Sequence, residues 1–175
     1  MSLERSNAVV AIGAAVAVLL QIVAAPNLSL FSAQPNFLLA YVLAVSIARP
    51  LDAGPVLPFA LGLFYDLSGS GPVGGMALLF TAVSFAASRA FSVLDNDTLF
   101  MPLTILVASA LAVEMLYGAL LMALGLPAGA LDAFVYRALP CALYDCVAGL
   151  VLYPIMTRLL SGGSQDRGLR SPRLR

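Results

Sequence analysis

Three carboxyl groups stand inside apolar stretches, and they are the residues whose chemistry first needs an account: Asp66, Glu114 and Asp145. An ionisable side chain in such surroundings is costly. It commonly marks an ion or proton path, a ligand site, or a polar contact between helices. Asp66 closes the run FALGLFYD and is followed by the glycine-rich turn LSGSGPVGG. Phe59, Gly62 and Asp66 recur at i, i+3 and i+7 and so fall on one face of a helix. Gly62 lets a neighbouring helix come close one turn below the carboxylate. Pro72 opens the next apolar segment, where proline suits a first helical turn, with Gly74 just behind it. The expected geometry is a tight helical hairpin. In it Asp66 accepts hydrogen bonds from the free N–H groups around Gly71 to Gly75, an arrangement the helix dipole favours. Asp66 as a cap holding the hairpin shut is one reading, and a transport or ligand site is the other.

Glu114 and Asp145 sit near the middle of the last two apolar segments. If those segments are antiparallel neighbours, both carboxyls lie at similar depth. Each also shares a face with small residues: Ala110 and Gly118 with Glu114, Ala142 and Gly149 with Asp145. Small residues mark helix–helix contact, so both carboxyls are expected to point into protein rather than lipid. A proton-coupled or substrate-binding site is the functional reading. The other is a pair of protonated carboxyls that hold helices together or meet a partner's helix. Arg137 lies about two turns outward of Asp145, too far for a pairing fixed by sequence alone.

Little else could do chemistry. The chain has no His, no Trp and no Lys. Cys141 and Cys146 are five residues apart on one helix, with side chains about 140° apart, and cannot bridge each other. There is no CxxC, phosphate loop, metal-ligand cluster or nucleophile–base pair, so no catalytic, metal or cofactor site is expected. Nine arginines cancel nine carboxylates, and no nucleic-acid partner is expected.

The elements that must position these groups are apolar helices. Of the 175 residues, 61% are apolar and 10% charged, against roughly half and a quarter in soluble domains. The expectation is an all-α, polytopic membrane bundle of about six transmembrane helices over residues 1–160, with a disordered basic tail at 161–175. A polar start, 1–7, leads into the first apolar run, Ala8 to Ala25, broken only by Gln21 and read as an uncleaved helix. The second run, Asn36 to Ala48, is short enough for a re-entrant or interfacial piece. A turn at 49–54 precedes the third, Pro55 to Leu67. The fourth, Pro72 to Val93, carries Ala82, Ala86 and Ala90 every four residues, a seam suited to close helix approach. Asp95, Asn96 and Asp97 break the chain before the fifth, Pro102 to Leu124. A small-residue loop, Gly125 to Asp132, precedes the sixth, Tyr136 to Leu160.

Six crossings put both termini on the side that holds every arginine except Arg137, which the positive-inside rule assigns to the cytoplasm. If the short second run does not cross, only the N-terminus changes side.

The hairpin also carries a resemblance. The chain resembles the MreD family, rod shape-determining membrane proteins of the bacterial elongation machinery. The matching features are the apolar first helix and a Pro-Asn start to the second (Pro35, Asn36). The spacing of Phe59, Gly62 and Asp66 matches too, as do Pro72 and Gly74 opening the fourth helix. The last helix starts near Pro140 and carries Tyr153 before an arginine. Members often have aspartate where this chain has Asn36, which removes any charge role there. The resemblance implies a non-enzymatic scaffold in the cell membrane that binds the single-span protein MreC and other membrane proteins of the elongation complex. Its role would be to help control peptidoglycan synthesis and cell shape. It also implies a fold similar to the substrate-binding components of energy-coupling-factor vitamin transporters. A small solute-binding component of such a transporter is therefore the alternative, with neighbouring ATPase frames as its discriminating sign.

Overall fold

Among the described residues every element is a helix, which suits a chain that must satisfy its backbone inside hydrocarbon. The computed structural model describes residues 2–29, 33–50, 54–93, 100–125 and 132–161. The basic tail, the break at Asp95 to Asp97 and most of the 125–132 loop lie outside them. In order the elements are α1 (Ser2–Val23), a 3-10 turn (Pro26–Leu28), α2 (Phe37–Ala48), α3 (Val56–Ser68), α4 (Gly75–Val93), α5 (Phe100–Ala123), a π-helical turn (Asp132–Ala138) and α6 (Leu139–Ser161). The fourth segment therefore begins three residues later than Pro72, which sits in the turn and accepts the Gly75 N–H through its carbonyl (3.3 Å).

Four of these helices, within α1, α4, α5 and the π turn with α6, are long and apolar enough to cross a membrane. The other two are not. α2 has 12 residues and α3 has 13, about 18 and 20 Å at 1.5 Å per residue, against roughly 30 Å of hydrocarbon. The described residues thus form a bundle of six α-helices, of which four have spanning length.

The shortest apolar run is the axis of this bundle, not an interfacial piece. Every residue from Leu38 to Ile47 is buried. A helix that is apolar all round belongs inside, and α2 is enclosed by α6, α4, α1, α5 and α3. The helices around it turn apolar side chains outward, as Ile12, Val16 and Leu19 on α1 and Leu143, Val147 and Val151 on α6 illustrate. α1 is fastened to the axis where Tyr41 passes under Gly13 and donates to the Val10 carbonyl (2.6 Å). α4 is joined to it by the buried hydroxyl pair Ser46 and Ser84 (2.6 Å).

Burial of Met76 and Phe80 fixes the rotation of α4, and its inward stripe continues through Ser84, Ala87 and Ser88. Ala82 and Ala86 consequently face outward and Ala90 is half-buried. Of the alanine seam, only Ala90 packs against the core.

Candidate functional site

Two carboxylate assemblies occupy the same end of the bundle, each where a helix N-terminus meets a side chain from another helix. The first is the α3–α4 hairpin. The first turn of α4 presents N–H groups with no intrahelical partner, and Asp66 on α3 receives them. Its Oδ2 accepts from Gly74 (2.9 Å) and Ala77 (3.2 Å), and its Oδ1 accepts from Met76 (3.1 Å). This is an N-cap supplied by a neighbouring helix, with charge matched to the dipole. Gly74 makes the approach possible: at φ +99° it holds a left-handed backbone that suits glycine alone. Gly62 brings the two helices together. A Cβ there would lie 2.6 Å from Ala77 Cα and 2.7 Å from the Met76 carbonyl oxygen, both backbone atoms that cannot move aside.

Phe59 takes no part in this seal. It shares the angular position of Asp66 but lies two turns, about 10 Å, along the helix, and 51% of its surface is exposed. The hairpin closes at its tip rather than along its length.

The second assembly surrounds the start of α2. Asp145, fully buried on α6, accepts the Asn36 N–H through Oδ1 (2.7 Å). Gln21 on α1 accepts the Phe37 N–H (2.8 Å) and donates to the Pro35 carbonyl (3.3 Å). The Asn36 side chain caps its own helix by accepting the Leu39 N–H (3.0 Å). Three side chains from three elements thus meet one helix end. Asp145 Oδ2 meets no N–H or hydroxyl donor, and buried Asn36 Nδ2 meets no acceptor. The remaining hydrogen-bonding neighbour of Asp145 is the carboxyl of Glu114, buried on α5. Glu114 and Asp145 are therefore brought into contact, each on its small-residue face. Ala110, Gly118, Ala142 and Gly149 are all buried, and the Leu106 side chain lies against Gly149.

Arg137, in the π turn before α6, reaches this pair more closely than its place in the sequence suggests. Its charge acts on Glu114, and its guanidinium stands 5.3 Å from the centroid of the Tyr117 ring, a cation–π contact. The Tyr117 hydroxyl lies directly over Gly71 in the hairpin turn, so one side chain touches both assemblies.

Spacing alone does not single out Tyr117 or Gln21. Gln21 had a visible signal, the lone polar residue in an apolar run, whereas Tyr117 had none. Cys141 is buried and Cys146 half-buried, and both are free thiols. Among the described residues, no three His, Cys, Asp or Glu side chains gather in a way that could hold a metal ion.

What these groups do is join helices: the buried polar atoms of one helix answer the open N-terminus of another. Searches against curated proteins and solved structures found no match. The family model described as rod shape-determining protein MreD matches residues 5–162, which include both assemblies and all six helices but for the first few residues of α1. The chain belongs to the MreD family of rod shape-determining proteins.

Proposed function

We propose that this protein is a non-enzymatic membrane scaffold of the bacterial elongation machinery. In this reading it binds an MreC-like single-span protein and, with other membrane proteins of the complex, helps control peptidoglycan synthesis and cell shape. The observation that carries the reading is the family match over residues 5–162. The site geometry is consistent with it. Asp66 is engaged by three backbone N–H groups of the chain itself, and Asp145 by one such group and a second carboxyl, so these groups fix helix positions. A scaffold of this kind works by presenting a set helix arrangement whose stability is linked to partner binding.

The location that follows is the cytoplasmic membrane, with both termini cytoplasmic and the two carboxylate assemblies toward the outer face. Such a placement leaves Arg137 as the outward arginine. The likeness to substrate-binding components of vitamin transporters is part of the same proposal as a statement about fold, and superposition on an experimental structure of one tests it.

Co-purification from membranes tests the function. The tagged protein is expected to retain a single-span, MreC-like partner, and its depletion is expected to round the cells. Recovery of transporter ATPase subunits in place of that partner, with cell shape unchanged on depletion, would overturn the reading. A reporter fused before Met1 tests orientation: a periplasmic N-terminus with a cytoplasmic tail would mean an odd number of crossings.

A further inference from the structure

Glu114 and Asp145 are hydrogen-bonding neighbours, and among the described residues one cation, Arg137, stands near them; that combination limits how many protons the pair can carry. Asp145 Oδ1 is occupied by the Asn36 N–H, and its Oδ2 is buried with no N–H or hydroxyl donor. The side chain that stands as a hydrogen-bonding neighbour of Asp145 is the Glu114 carboxyl. Two carboxyl groups can hydrogen-bond only through a proton that one of them carries. With no proton, two like charges would adjoin in an apolar core, which such pairs avoid by sharing one. With two protons, Arg137 would lose the charge it faces.

Among the described residues, the surroundings add no other counter-charge. Tyr65 faces the pair from α3, Tyr117 from α5, and Cys141 and Cys146 from α6. These groups are neutral at neutral pH. The axis contributes the Asn36 N–H, and α1 contributes the uncharged Gln21 next to it. Arg137 from the π turn is the cation that acts on Glu114.

We propose that Glu114 and Asp145 form a proton-binding site that holds one proton and one negative charge, and that this charge is the buried counter-ion of Arg137. The arrangement places a bound proton at the point where α5, α6 and the start of α2 meet. Docking of the central helix is therefore linked to occupancy of that site: losing the proton sets two charges against each other beneath the α2 N-terminus.

Infrared spectroscopy of the purified full-length protein in lipid nanodiscs at neutral pH reads the stoichiometry directly, through the C=O stretch of neutral carboxylic acids. One buried acid per chain is expected in the wild type. Glu114→Gln and Asp145→Asn should each abolish that band, because the amide supplies the donor and the surviving carboxyl stays charged. Two acids per chain, none, or a band that survives both substitutions would overturn the proposal.

Folded yield in membranes tests the charge. Each single amide keeps one negative charge and is expected to accumulate nearly as the wild type does. The double amide is expected to fall by about tenfold or more, the result of leaving a partly buried guanidinium without its counter-charge. Arg137→Gln added to the double amide should restore it. A double amide as abundant as the singles, or one that Arg137→Gln fails to rescue, would sever Arg137 from the pair.

Discussion

Asp66 and Asp145 begin from the same arrangement, a carboxylate on one helix received by the N-terminus of another, and arrive at different chemistry. Asp66 has both oxygens engaged by three backbone N–H groups from the short stretch that leads into and opens α4. Such a carboxylate has its lost hydration answered by backbone donors on both oxygens. Asp145 receives a single N–H and shares its environment with a second carboxyl and, beyond that, an arginine. Donor count separates the two sites. A fully matched carboxylate locks a hairpin, whereas an incompletely matched one is left with a demand that a proton can fill. The second kind of site is where sensitivity to conditions can enter.

Substitutions can sharpen or break this contrast. The largest effect is expected at Gly62, where any side chain meets backbone rather than another side chain. Gly62→Leu should cost about 4–5 kcal/mol or more, seen as loss of folded protein in membranes. Normal accumulation would mean that the helices do not meet as described. Next comes Asp66→Leu, which leaves three N–H groups unmatched at about 1–3 kcal/mol each, for a loss of about 3 kcal/mol or more. Asp145→Leu orphans one N–H and should cost about 1–3 kcal/mol by the same reasoning. Chemical unfolding of both variants in one detergent measures the order. If Asp145→Leu proved the more damaging, donor count would not be what distinguishes the sites. The smallest effect is expected at Ala86, which faces outward: Ala86→Leu should change stability by no more than about 0.5 kcal/mol.

The two sites also differ in how far the sequence discloses them. The hairpin is local. Asp66 and its donors are 8 to 11 residues apart, and glycine, proline and a carboxylate at close spacing carry the geometry in their own conformational preferences. Helical spacing misplaces Phe59, however, because angular position says nothing about how far along the helix a neighbour stays in contact. The second site depends on tertiary contact. Depth and small-residue faces place Glu114 opposite Asp145, but nothing local announces that Asp145 will meet Asn36 or that Arg137 will turn back onto Glu114. The role of α2 was hidden for a related reason. Its 12 apolar residues fit an interfacial piece as well as a central one, and only the surrounding helices decide between them. On α4 the conspicuous alanine seam lost to Met76 and Phe80, whose larger side chains have more to gain from burial.

The wide sequence separation of the Asn36–Asp145 bond also has a history during synthesis. Asn36 leaves the ribosome 109 residues ahead of the carboxylate that will receive its N–H. At about 5–20 residues per second, that is an interval of roughly 5 to 20 seconds. The hairpin faces no such delay, since Asp66 precedes its last donor by 11 residues and can close about as fast as the chain emerges. For the longer interval the future axis of the bundle must wait with the Asn36 N–H open, beside Gln21 and its own Asn36 cap. Anything that slows arrival of the last helix prolongs that exposure, so this stage of assembly is where a membrane insertase or chaperone would have the most to protect.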